Sequence, residues 1–433
     1  MNALWRVAYA GAAGAARALV AVAPTSERKL WRGLARRRGL LQRLEQWSAA
    51  QRDVKRPLLW MHAPSVGEGL QARVVLERLH ARRPDVQIAF TFFSPSAENF
   101  AASVPADVRD YLPIDAGRDV RSALTALRPT ALVFSKLDVW PVLTAEASAR
   151  GVRVGLISGT VGPESSRLRA AARALLADAY AALDAAGAIA ATDAQRLVTL
   201  GARPERVRVT GDSRCDQVWA RARATDLSSA LLTRLASARP TLVAGSTWPS
   251  DEHVLLTAWL HVRQTLPAAR LIIAPHEPTE AHLAPMEQWA AKHDLVLRRL
   301  GHLDDSVAAD VLLVDRVGLL GELYAIAMCA YVGGGFHRAG LHSVLEPAAF
   351  GAPVLFGPRH TNSGDAAALL AVGGAESAAT PAALAAQLLR WLGDRPERDR
   401  AGQRASRVVE AGLGAADRSC DLVLELLAPI QAA

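Results

Sequence analysis

The sequence predicts an α/β chain of two Rossmann-like domains, each a doubly wound parallel sheet, with a membrane-associated helix at the N-terminus. Three observations lead there. From Pro57 onward, short β-rich runs alternate with amphipathic helical stretches. The alternation pauses over the charged, strandless stretch Asp216–Arg239 and then resumes. A glycine turn, Gly333-Gly334-Gly335-Phe336, follows one late β-rich run and precedes His342-Ser343-Val344-Leu345-Glu346-Pro347. Such a turn lets backbone N–H groups and a helix N-terminus approach a phosphate.

The first element, residues 1–56, holds the chain's basicity. The net charge is +8, yet these 56 residues carry twelve Lys/Arg against three acids, which leaves the remainder at −1. The apolar stretch Val7–Ala23 is interrupted by Arg17 and falls short of the ~20 apolar residues of a membrane span. Ala21-Val22-Ala23 resembles a signal-peptide cleavage site, whereas Trp31, Arg32 and Arg36–Arg38 read as a polybasic anchor on a membrane surface. No aromatics alternate with these charges, which argues against an RNA-binding arm, and a near-neutral body argues against nucleic acid as a partner.

The second element, residues 57–215, reads as strands at Leu58–His62, Gln87–Phe93, Ala131–Phe134, Arg153–Ile157, Ala188–Ala190 and Arg206–Val209. Helices fall between them, as at Gln71–Arg82 and Ser165–Leu183. Glu68 stands where the first strand gives way to a helix. A helix N-terminus keeps a carboxylate ionised, so Glu68 is a candidate general base, although first-turn acids also serve helices alone. Lys136 and Asp138 follow another strand end; they face a ligand or pair with each other.

The third element, residues 216–415, begins with a boundary helix and has strands at Thr241–Ala244, Arg270–Ala274, Val311–Val314, Ala330–Val332 and Pro353–Phe356. Gly245-Ser246-Thr247 and His276-Glu277 close its first two strands, where small residues, hydroxyls and imidazole suit a nucleotide. Two such halves facing across a cleft place ligands at the carboxyl ends of both sheets. The last element, 416–433, is a helix expected to pack back on the first domain.

Several chemistries are excluded. His276-Glu277 is followed by Pro278 and next by His282, so no HExxH zinc motif exists. There is no D-x-D triplet, P-loop or G-x-S-x-G elbow, and no metal or other cofactor is expected. Cys215, Cys329 and Cys420 form no CxxC pair, as suits a reducing compartment.

In order along the chain, these blocks resemble the 3-deoxy-D-manno-octulosonic acid (Kdo) transferases, glycosyltransferase family 30, of GT-B fold. Ser65-Val66-Gly67-Glu68 matches the family's S-V-G-E, Tyr111–Asp115 its Y-L-P-x-D, Gly211–Asp216 its G-N-L-K-x-D, Ala244–Thr247 its A-G-S-T, Gly318–Tyr324 its glycine-led turn and His342–Pro347 its H-N-P-L-E-P. Lys136-Leu137-Asp138-Val139-Trp140-Pro141 stands for E-T-E-L-W-P, with a cation for the first acid. Ala274–Glu280 stands for A-P-R-H-P-E-R without its arginines, and Thr160 replaces a further Arg. The resemblance is to a divergent member.

That resemblance implies an inverting, metal-independent transfer of Kdo from CMP-Kdo to a lipid A precursor (lipid IVA) at the cytoplasmic face of the inner membrane. Glu68 would be the base, with Lys136 and Asp138 beside it. Donor contacts would come from Arg214, Gly245, Ser246, Thr247, His276, Glu277, Gly318, Gly335, His342, Ser343 and Glu346, with Glu346 on the ribose and Lys136, His276 and Arg214 standing in for the lost cations. Another nucleotide-sugar transferase, a UDP-sugar epimerase and a non-catalytic membrane-associated scaffold remain open alternatives.

Overall fold

The computed structural model describes residues 3–26, 28–302, 309–361 and 363–429. They form two compact units. One comprises the chain up to Gln217 together with the residues from Gly412; the other is Val218–Ala411.

The first unit is built on seven parallel strands: β1 (Leu58–His62), β2 (Gln87–Phe92), β3 (Val108–Tyr111), β4 (Ala131–Ser135), β5 (Arg153–Gly159), β6 (Ala185–Ala188) and β7 (Val207–Val209). Their order is β3-β2-β1-β4-β5-β6-β7, with Trp60 in register with Ala89 on one side and Leu132 on the other. β1, β2 and β4 are buried at every position, as parallel strands covered on both faces must be. The helix Ala415–Leu427 places Leu422, Val423 and Leu426 in this core, and a Cβ at Gly155 of β5 would overlap Leu426. The Asp216 carboxylate accepts from the N–H groups of Gly414 and Ala416 at 2.8 and 2.9 Å, fastening the start of that helix.

Helices span Ala3–Val22, Lys29–Arg36 and Leu40–Gln51 ahead of β1. The third is core: Leu40, Leu44 and Trp47 are buried with the sheet residues. Arg37 is also built in, only 6% exposed, donating to the carbonyls of Gly33, Leu112 and Phe93 and lying over the Phe93 and Tyr111 rings. Surface character is thus narrower than residues 1–56, because part of the basic, apolar stretch completes the first unit. Among the described residues no helix is long and apolar enough to cross a membrane.

The second unit repeats the plan with β8 (Thr241–Thr247), β9 (Arg270–Pro275), β10 (Leu297–Arg299), β11 (Val311–Leu313), β12 (Cys329–Val332), β13 (Val354–Phe356) and β14 (Ala375–Ser377), in the order β10-β11-β9-β8-β12-β13-β14. All its pairings are parallel. Trp259, Tyr331, Leu355 and Trp391 are among the side chains that fill its interior.

Three strands escape the sequence pattern: β3, β10 and β14. All are edge strands of three or four residues, with polar positions where a buried strand is apolar. The run expected at Ala188–Ala190 lies three residues earlier, since alanine and glycine give no β-branched marker there. The last four positions of the expected C-terminal helix fall outside the described residues.

Candidate active site

In an open α/β sheet the ligand crevice lies beyond the carboxyl ends of the two strands where the winding direction reverses. In the first sheet these strands are β1 and β4; in the second, β8 and β12. Each pair of strand ends carries a dense polar cluster.

In the first unit, the helix Val66–Arg82 starts just after β1 and holds Glu68 in its first turn. Lys136 follows β4 directly, at φ +70°, a left-handed conformation that costs a side-chain-bearing residue about 1–2 kcal/mol. Its N–H donates to the Ile157 carbonyl of β5, and its Nζ donates to Glu68 Oε1 at 2.9 Å. Ser65 Oγ donates to the other carboxylate oxygen. Burial raises the Glu68 pKa, but the Lys136 charge and the hydrogen bonds from Ser65 and Lys136 outweigh it, so the group lies below the ordinary carboxylate range. The side chain keeps 14% of its surface exposed. Asp138 pairs with Arg167 at 2.8 Å rather than with Lys136, and burial raises its pKa.

His62, the last residue of β1, is fully buried, and burial pushes its pKa down to about 3. The ring is therefore neutral: Nδ1 donates to the Thr91 carbonyl at 3.0 Å, and Nε2 has no partner among the described residues. Arg214 also belongs to this unit. Its guanidinium grips Asp212 at 2.6 and 2.8 Å, so contact with an anion would compete with that pair.

In the second unit the cluster is aromatic. Trp248, after β8, stacks on His276 (4.6 Å between centroids) and on His337 (4.3 Å), and its Nε1 donates to His342 Nε2 at 3.0 Å. His276 also stacks on His342 at 4.5 Å. Beneath lies Asp251, fully buried, accepting from the N–H groups of Trp248, Gly334 and Phe336 and from the Tyr331 hydroxyl. Sequence reasoning nominated His276 and His342 but missed Trp248, His337 and Asp251. A tryptophan directly before a helix-opening proline was the available signal.

Some expectations are corrected. The glycine turn does not offer all its amides to a phosphate, because Gly334 and Phe336 donate to Asp251 and Gly333 to the Gly245 carbonyl. Its glycines serve close packing: a Cβ at Gly333 or Gly335 would overlap the backbone of Ser246 or Gly357. Gly245 is buried where a Cβ would overlap Tyr324 Oη. Thr247 is buried too, and its hydroxyl donates to Glu252 at 2.7 Å, a carboxylate also 2.9 Å from His282 Nε2. Gly245, Thr247, Gly333 and Gly335 are thus buried in the chain as it stands. Ser246 (φ +53°), His342, Ser343 and Glu346 are half-buried, and His276, Glu277 and Gly318 are exposed. Burial raises the Glu346 pKa, opposed by the charge of Arg221, whose guanidinium donates to the Gly318 carbonyl.

Residues 33–217, all in the first unit, match the family model described as 3-deoxy-D-manno-octulosonic-acid transferase (kdotransferase). Over 379 residues the chain is 29% identical to the 3-deoxy-D-manno-octulosonic acid transferase of Bordetella pertussis, covering 85% of this chain and 87% of that protein. Over 376 residues it is 24% identical to the transferase of the same name from Haemophilus influenzae, covering 84% and 86%. The chain is thus similar to Kdo transferases along most of its length. Its GT-B fold agrees with two solved structures. A glycosyltransferase from Rickettsia africae has a TM-score of 0.58 at 9% identity, covering 86% of this chain and 98% of that one. The UDP-GlcNAc 2-epimerase of Neisseria meningitidis has a TM-score of 0.62 at 12% identity, covering 86% and 99%. Against the family motifs given above, Lys136 stands in place of an acid and pairs with Glu68, and His276, Glu280 and Thr160 stand in place of arginines.

Proposed function

We propose that the protein transfers Kdo from CMP-Kdo to a sugar hydroxyl of a lipid A precursor, lipid IVA, with inversion at the anomeric carbon and without a metal. The observation that carries this reading is the ionised Glu68 carboxylate, still partly open, at the reversal point of the first sheet. Glu68 takes the acceptor's hydroxyl proton as that oxygen bonds to the anomeric carbon; the carbon–oxygen bond to the phosphate breaks, and CMP departs with the electron pair. A carboxylate held below its ordinary pKa is fully ionised at neutral pH but a weak base, which suits a reaction with a stable leaving group and late proton transfer. General-base assistance of this kind contributes about 10²–10⁴-fold. The Trp248 cluster of the second unit takes the nucleotide.

The N-terminal helices support a seat on the cytoplasmic face of the inner membrane. Val7, Val22 and Leu30 are each about 70% exposed, and Lys29, Arg32 and Arg36 lie nearby in sequence. Apolar side chains with flanking cations are the ingredients of interfacial binding.

Purified protein incubated with CMP-Kdo and a tetra-acylated lipid A precursor should yield a lipid heavier by one or more Kdo units. CMP, and not UDP, should compete. An unchanged lipid mass, or competition by UDP alone, overturns the reading.

A further inference from the structure

A tryptophan whose N–H donates to a histidine determines where that histidine's own proton sits. We propose that Trp248 is a positioning residue for nucleotide binding: by donating to Nε2 of His342 it fixes the Nδ1–H tautomer, so that His342 offers an N–H to the phosphate of the bound nucleotide. This rests on the nucleotide reading of the second unit given above.

An indole nitrogen only donates, so His342 Nε2, 3.0 Å from Trp248 Nε1, is an acceptor. A neutral imidazole with an accepting Nε2 carries its proton on Nδ1. The ring is neutral near pH 7: burial, then the neighbouring His276, push its pKa down to about 4, with Asp251 pulling upward and His337 downward. Nδ1 has no hydrogen-bond partner among the described residues, so its proton remains available to a ligand. A phosphate presents acceptors only. The opposite tautomer would turn a lone pair toward it.

The two rings are also held rigidly. They are nearly parallel, 13° apart, and His276 stacks on both. The His342 N–H donates to the Gly333 carbonyl at 3.1 Å, while Trp248 N–H and Gly334 N–H share one carboxylate oxygen of Asp251. One buried acid thus fixes both the donor's backbone and the turn leading to its acceptor. The pair sits at the ends of β8 and β12, where a doubly wound sheet binds its ligand.

The test uses the full chain, with CMP and cytidine as probes, and Trp248→Phe, His342→Ala and the double variant. Imidazole ¹⁵N spectra of the wild type should show His342 protonated on Nδ1, and Trp248→Phe should give mixed tautomers. CMP affinity should fall a few-fold in Trp248→Phe, the cost of selecting one tautomer from a mixture, while cytidine affinity is unchanged. His342→Ala should lose about tenfold, the scale of one hydrogen bond to a charged group, and the double variant no more than His342→Ala. Wild-type CMP affinity in Trp248→Phe, or an Nε2-protonated His342 in the wild type, overturns the inference and leaves the nucleotide reading intact. A wild-type protein that binds no CMP overturns that reading and this inference together, before any variant is compared.

Discussion

Lys136 Nζ lies 2.9 Å from Glu68 Oε1, an ion pair between residues 68 apart in sequence that follow two adjacent parallel strands. The ammonium reaches the carboxylate from a left-handed backbone position, so the lysine is held there by its surroundings rather than by local preference. Four predictions follow from this pair and from the groups around both clusters.

Glu68→Gln keeps the size of the side chain and one acceptor oxygen but removes the base. Transfer from CMP-Kdo should fall by at least about 10²-fold, with CMP affinity nearly unchanged. Turnover and CMP titration on the same preparation check both halves; unchanged turnover removes Glu68 from the mechanism.

Lys136→Gly retains the φ +70° backbone without cost and deletes the cation. With the Lys136 charge gone, burial dominates and the Glu68 pKa rises. The acid limb of the kcat/KM profile should therefore move to higher pH, because a base works only when deprotonated. Loss of the partly exposed ion pair and relief of backbone strain oppose each other, so denaturant unfolding should shift by no more than about 1 kcal/mol.

His62 binds a proton less readily when folded than when unfolded, its pKa being pushed from 6.5 to about 3 by burial. The unfolded chain then holds more protons between these values, and stability must decline as pH falls below about 6.5. The slope is about 1.4 kcal/mol per pH unit for one such group. Urea unfolding at pH 7 and pH 5 should show this decline in the wild type and a shallower one in His62→Gln; equal slopes would refute it.

Asp251→Ala leaves three backbone N–H groups and the Tyr331 hydroxyl without their acceptor in a buried place. With roughly 1–3 kcal/mol for each orphaned donor and partial relief by relaxation, a loss of about 3 kcal/mol is expected, along with CMP binding. Asp251→Asn, which keeps one carbonyl acceptor, should fall between. Unfolding midpoints of the three proteins provide the comparison.

The architecture was readable because its central strands are unbroken apolar runs and its reversal points carry Glu68, Lys136, Gly245 and His342. What the sequence concealed is relational. Lys136 and Asp138 stood close enough to suggest a pair, yet strand order gives Lys136 to Glu68, and the Ser165–Leu168 turn gives Arg167 to Asp138. Glycines 333–335 look the same whether they cradle an anion or admit neighbouring backbone; only Asp251, more than 80 residues upstream, decides. Thr247 looked available because hydroxyls usually are, and its burial beneath Glu252 has no local signature.

The return of the chain at Gly412, clasped by Asp216, sets an order of assembly. The second unit is a single uninterrupted stretch and can close once its own residues have left the ribosome. The first unit, though begun earlier, lacks the helix bearing Leu422 and Leu426 until the whole of the second unit has been made. The half holding Glu68 is therefore the last to mature.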